Sequence, residues 1–187
     1  MARWFWIFWI YSLAGYGLEK GFARAAGCSH QVRKCFFCLP LCPVYGLGML
    51  AVLALPDAWK TFPWILLTGG AAATAVEYLL HWLYDTFLGV RFWDYRGLKG
   101  SLHGRVCLWF SIAWGLLAAW AVYGVQPWVE DFAAQIPPTV TWGGILLLTA
   151  DGVCSGWYLY WTGDIDGLRL RTVRELWQAP YRREDAP

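Results

Sequence analysis

The sequence predicts an all-α integral membrane protein, a bundle of five transmembrane helices with its N-terminus outside and its C-terminus in the cytoplasm. Composition, the spacing of apolar stretches and the placement of basic residues carry that prediction. The 187 residues are 58% hydrophobic, with a mean hydropathy of +0.38 and 15 tryptophans. A soluble domain of that size has too few charges to cover so much apolar surface. Five apolar stretches occupy residues 3–18, 36–55, 62–89, 106–125 and 141–161. An apolar helix of ~20 residues crosses the ~30 Å hydrocarbon core of a bilayer. The stretches consume most of the chain, which leaves a single membrane domain over residues 1–187 with a basic tail at 162–187.

Orientation follows from charge. Of the 15 lysines and arginines, only Arg3 and Lys60 fall on one side of the stretches. Lys20, Arg24, Arg33 and Lys34 follow the first stretch; Arg91, Arg96, Lys99 and Arg105 follow the third. Arg169, Arg171, Arg174, Arg182 and Arg183 follow the fifth. Basic residues in short loops mark the cytoplasmic side, and a bacterial cytoplasmic (inner) membrane is the expected location. The opposite side carries an acidic loop with Glu130 and Asp131. A basic inner face suits anionic lipid headgroups of the bilayer, which explains the arginines without nucleic acid.

The first stretch carries Trp4, Trp6 and Trp9, and the fifth ends in Trp157, Tyr158, Tyr160 and Trp161. Such rings form belts at the headgroup level. Ala23-Arg24-Ala25 has the look of a signal-peptide cleavage site, but Lys20 and Arg24 directly after the apolar run oppose export. In the tail, Leu170, Val173, Leu176 and Trp177 are spaced for a short interfacial helix that ends before Pro180.

The second stretch opens irregularly at Leu39-Pro40-Leu41-Cys42-Pro43-Val44-Tyr45-Gly46. Two prolines three apart remove amide donors and block a regular helix upstream. A helix beginning at Pro43 is the simpler expectation; a broken helix forming a binding element, as in transporters, is the other.

In the third stretch Gly69, Ala73, Glu77, His81 and Asp85 recur every fourth residue. That stripe drifts only ~40° per step on an α-helix. Its first half is small and suits close helix contact, either within the chain or in a homo-oligomer. Its second half is ionisable, and such residues in a bilayer face a bundle interior or a wet cavity. Glu77, His81 and Asp85 read either as a proton or cation relay or as a network that joins helices. Asp151, at the centre of the fifth stretch, needs a partner, with His81 or an arginine reaching upward as candidates. No lysine or arginine lies in the interior of the spans, Arg3 standing at the very end of the first, so a bound charged solute is expected to be a cation.

Cys28, Cys35, Cys38 and Cys42 cluster on the reducing side, which disfavours disulfides. Four thiolates can close a zinc site, but one C-x2-C pair with a distant fourth cysteine is a weak metal signal, and no metal is favoured. Cys107 and Cys154 read as small packing residues.

Taken together, several segments resemble the ABC-transporter type IV (CmpB-like) family of membrane proteins. Gly15-Tyr16-Gly17-Leu18-Glu19 is similar to its G-W-x-x-E opening, with tyrosine for tryptophan. The run from Arg33 through Pro40, Cys42, Pro43, Val44, Tyr45 and Gly46 resembles N-R-G-F-L-x-G-P-x-C-P-I-Y-G. The membrane glutamate falls on Glu77, W-D-Y on Trp93-Asp94-Tyr95, and N-x-x-G on Ser101-Leu102-His103-Gly104. The similarity runs from Tyr11 to about Leu117. It departs at Arg33-Lys34-Cys35, which stands for N-R-G, and at Ser101, which stands for asparagine.

The resemblance implies a permease-like transport subunit for a small solute or cation. Its substrate pocket is expected on the cytoplasmic side from Glu19, Pro40, Pro43, Tyr45, Gly46, Glu77, His81, Trp93, Asp94, Tyr95, Gly104 and Arg105. The chain lacks G-x-x-x-x-G-K-[ST], so it carries no nucleotide-binding loop of its own, and no cofactor is expected. A separate ATPase subunit would dock on the basic face. Two alternatives stand beside this reading. One is a membrane-embedded enzyme in which Asp94, His103 and Arg105 handle a lipid or prenyl headgroup, although no nucleophile–base pair is legible. The other is a non-catalytic scaffold or assembly factor.

Overall fold

Local periodicity and breakers divide the chain into five helices, seen in a computed structural model that describes residues 2–25, 27 and 35–168. The structure is mostly helical. The helices are α1 (Ala2–Ala25), α2 (Pro43–Leu53), α3 (Trp64–Leu83, prolonged by a π-helical turn at Tyr84–Leu88), α4 (Leu108–Ala134) and α5 (Pro138–Thr162). A small antiparallel hairpin, β1 (Ser101–Leu102) with β2 (Val106–Cys107), lies between α3 and α4. Cys28, Arg33, Lys34 and the tail from Arg169 onward, with its expected interfacial helix, lie outside the described residues.

By length and composition, α4 is the one helix among the described residues that is long and apolar enough to cross a membrane. The other stretches fall short for identifiable reasons. Helix α1 carries three tryptophans, two tyrosines and three glycines, which hydropathy scales do not score as strongly apolar. Helix α3 carries Glu77 and His81, α5 carries Asp151, and α2 is apolar but has only 11 residues.

Two boundaries differ from the sequence expectation, and at the second stretch the simpler expectation holds. Helix α1 continues past residue 18 through Lys20 and Arg24. The second stretch is helical only from Pro43, because Pro40 and Pro43 exclude upstream helix and Pro43 is preorganised for a first helical position. The fourth does not stop at Gln126-Pro127. A π-helical turn over Ala121–Val125 widens the backbone just ahead of the proline, and the helix runs on to Ala134, so Glu130 and Asp131 are helical rather than in a loop.

Close helix approach is made by small residues where the sequence places them. A Cβ on Gly46 would meet the Phe8 carbonyl oxygen at 2.5 Å, and one on Gly15 would overlap the Tyr45 ring. Between α3 and α4, a Cβ on Gly69 would lie 2.8 Å from the Ala118 methyl, and one on Gly70 would lie 3.2 Å from Gly115. The small half of the α3 stripe is therefore spent inside the chain. Two apolar clusters fill the bundle: Ile7, Tyr11, Met49, Val52, Ile65 and Ala118 towards one end, and Val44, Ala73, Leu80, Trp93, Tyr95 and Trp114 towards the other.

The loops gather at two ends. At one, Arg3 pairs with Glu130 at 2.5 Å, the Trp6 indole donates to Thr141 at 2.9 Å, and the Tyr123 hydroxyl donates to the Lys60 carbonyl at 2.7 Å. At the other lie Cys35–Cys42, the whole of 89–107 and the end of α5. There Val90, Leu159 and Leu168 form a third cluster, and the Phe37 and Tyr158 rings meet at 5.0 Å.

Candidate functional site

Glu77 sits at the α3–α4 crossing with 1% of its surface exposed. The Tyr95 hydroxyl donates to Oε1 and the Trp114 indole to Oε2, each at 2.9 Å. The carboxylate thus joins α3, α4 and the W-D-Y loop. Trp114 packs its ring 4.8 Å from that of Tyr45, whose hydroxyl donates to Glu19 at 2.9 Å. This gives a physical reading of the two helical motifs. Gly15 makes room for the Tyr45 ring, and Glu19, one turn on along α1, accepts its hydroxyl.

The W-D-Y and S-x-x-G segments are one unit. Trp93 donates its indole N–H to the Arg105 carbonyl, and its own carbonyl lies 3.0 Å from His81 Nε2. Since a carbonyl can only accept, Nε2 carries the proton. Nδ1 of His81 has no partner among the described residues, although the side chain is buried. The Tyr95 amide bonds the Gly104 carbonyl at 2.9 Å. His103 and Gly104 both have positive φ, 54° and 71°, in the turn closed by the Arg105 amide on the Leu102 carbonyl. Glycine is required at 104 for a second reason: a Cβ there would meet Arg96 Cγ at 2.6 Å and Asp94 Oδ1 at 2.9 Å.

Around this turn lies a polar cavity of about 150 Å³, walled by His81, Asp85, Arg91, Asp94, Arg96, His103, Gly104 and Arg105. Asp85 takes Arg91 at 2.8 Å and Arg105 at 3.5 Å. Arg105 also donates to the Tyr78 hydroxyl at 3.0 Å, which shares a 3.0 Å hydrogen bond with His103 Nδ1. Asp94 receives the Arg96 side chain and, at 2.9 Å, the Arg96 amide. These bonds hold its carboxyl down at about 2. The pair should therefore persist from neutral pH through the ordinary carboxylate range and loosen only as pH falls toward that value. Arg96→Gln should raise the Asp94 midpoint toward the usual ~3.9, which carboxyl-carbon NMR titration would read directly.

The expected pocket residues thus separate into two groups. Glu19, Tyr45, Glu77, Trp93 and Tyr95 form buried hydrogen-bonded links, whereas His81, Asp94, Gly104 and Arg105 wall the cavity. Pro40, Pro43 and Gly46 line neither this cavity nor a second, apolar one of about 120 Å³ between α1, α2, α3 and α4. They act on the backbone path instead. Of the cysteines, Cys35 and Cys42 are buried and Cys38 is exposed, while Cys28 lies outside the described residues. No group of three metal-ligating side chains occurs among the described residues.

Asp151 has a partner that sequence reasoning did not supply. Among the described residues, neither His81 nor an arginine reaches it. Instead it accepts the amides of Phe37 at 3.1 Å, Cys38 at 3.0 Å and Leu39 at 2.7 Å, with the Ser155 hydroxyl at 3.2 Å. Ser155 Oγ also accepts the Phe37 amide at 2.9 Å, and the Cys42 amide bonds the Ser12 carbonyl at 2.9 Å. The non-helical run before Pro43 is thereby satisfied by protein.

The fold and site define a small helical bundle whose ionisable chemistry is concentrated at one end. The chain belongs to the family described as "Putative ABC-transporter type IV", whose model matches residues 6–155. The match reaches well past Leu117 and takes in Asp151 and Ser155 on α5. It places the chain among ABC-transporter-related proteins. No curated protein and no solved structure matches the chain.

Proposed function

We propose that the chain is a permease-like subunit of a membrane transport system, spanning the bilayer five times with the end that carries residues 89–107 in the cytoplasm. The observation that carries this reading is the polar cavity at the basic end, set beside the buried Glu77–Tyr95 link. Large apolar side chains on the outside of the bundle support a lipid surround: Leu67, Trp109, Leu116, Trp120, Leu146 and Trp157 are all exposed. The membrane in this reading is a bacterial cytoplasmic one, and the energy comes from a separate ATPase chain docking on the basic face.

A second reading draws on the same structure. Glu77 and Asp151 both serve as pins between helices and loops, which suits a scaffold. Crosslinking followed by affinity purification from the native membrane separates the two. A transport subunit should bring down a chain that hydrolyses ATP, and the doubly reversed Arg91→Glu, Lys99→Glu variant should lose it. Purification of folded protein without any nucleotide-hydrolysing partner would favour the scaffold.

A further inference from the structure

The cavity walled by residues 81–105 contains three guanidinium groups against two carboxylates, and the carboxylates are already engaged. Asp85 is held by Arg91 and Arg105, and Asp94 by Arg96. Arg91 uses only Nε in its pair, and Arg96 uses Nε and one terminal nitrogen. Both terminal nitrogens of Arg91 and one of Arg96 therefore have no acceptor among the described residues. His81, 4% exposed, stands on the same wall with Nδ1 unpartnered. The arginine nitrogens face solvent, whereas a buried nitrogen such as His81 Nδ1 is seldom left unmatched. Arginine forks with spare donors recognise phosphate oxygens, and His81 Nδ1, an acceptor while Nε2 holds the proton, can take the P–OH of a singly protonated phosphate monoester.

The surroundings indicate how that phosphate is presented. Leu102 and Leu108 are 55% and 58% exposed, and Trp109 is 69% exposed, directly beside the hairpin that carries His103 and Gly104. Trp82 and Phe87, which follow His81 and Asp85 in sequence on α3 and its π-helical turn, are exposed as well. A polar cavity whose wall residues are flanked along the chain by exposed apolar side chains fits an amphiphile, with its phosphate inside and its chains along the helices.

We infer that this cavity binds the phosphate group of a membrane amphiphile through Arg91, Arg96 and His81. The inference names the solute class for the transport reading. It rests on the membrane placement proposed above, and it replaces the cation expected from sequence, because the loop brings arginines to a site the spans leave without them.

The test is binding rather than flux, so a failed transport assay leaves it standing and a failed binding assay leaves the ATPase experiment to be judged separately. The purified full chain is placed in nanodiscs of phosphatidylcholine and titrated with phosphatidic acid, with further phosphatidylcholine or with inorganic phosphate, while thermal stabilisation and lipid occupancy by native mass spectrometry are followed. Phosphatidic acid should bind at least ~10-fold more tightly than phosphatidylcholine. Arg91→Gln with Arg96→Gln, both on exposed loop positions, should reduce that preference about tenfold for each charge-assisted hydrogen bond removed. Inorganic phosphate binding as tightly as phosphatidic acid would overturn the amphiphile and point to a soluble phosphate ester. Equal binding of the two lipids, or an unchanged preference in the folded double variant, would overturn the site.

Discussion

Replacing Asp151 with leucine is expected to destabilise the protein by on the order of 2–6 kcal/mol, since each of two donors left without an acceptor costs about 1–3 kcal/mol. One carboxylate holds the amides of Phe37, Cys38 and Leu39, and Ser155 supports it from one turn away. Leucine keeps the volume but leaves the Cys38 and Leu39 amides without their acceptor, while the Phe37 amide keeps Ser155 Oγ. Asp151→Asn should fall between, because its oxygen still accepts while its amide group faces donors. Hydrogen exchange provides the local readout. Protection at Cys38 and Leu39 should collapse in Asp151→Leu while the α3–α4 crossing stays protected. Retained protection at those amides would show that another group holds the segment.

The second large effect concerns Glu77, where the order of variants matters more than any single value. Trp114 can only donate, whereas the Tyr95 hydroxyl can donate or accept. Glutamine can turn its oxygen to Trp114 and its amide to Tyr95, so Glu77→Gln should cost about 1 kcal/mol. Glu77→Leu strands both donors in the core and should cost on the order of 2–5 kcal/mol. Thermal unfolding in detergent would rank them. Equal destabilisation by the two substitutions would mean that negative charge, rather than the pair of hydrogen bonds, is what the crossing requires.

Much of this architecture is readable from residue patterns. The four-residue stripe on α3 identifies its inward face: Gly69, Ala73, Glu77 and His81 are all buried, and Asp85 lies at the rim. The start of α2 at Pro43 follows from proline chemistry alone. Other features are not legible because they depend on distant pairing. That Asp151 holds backbone amides from residues 37–39 follows only from how α5 leans on that segment. Trp114 does carry a signal: a tryptophan well inside a span is out of place for a headgroup belt and suggests a buried partner for its N–H. Tyr78 gives none, since its role depends on a hairpin turn bringing His103 and Arg105 to it. The length of α4 escapes a sequence reading because a proline ordinarily ends a helix, and residue types alone do not reveal the widened turn ahead of it.

That widened turn has a geometric effect at the far end of the bundle. Each residue added to a helix advances its phase by ~100°, so the extra residue of the π-helical turn resets the angular position of everything beyond Val125. With that reset, Gln126 faces Tyr11, whose hydroxyl it accepts at 2.9 Å, and Glu130 one turn later meets Arg3. In an unbroken α-helix the same side chains would swing by about a quarter of a circle, away from α1. Ala121–Val125 therefore works as an angular coupling: it carries the helix past Pro127 and indexes its last two turns onto their partner.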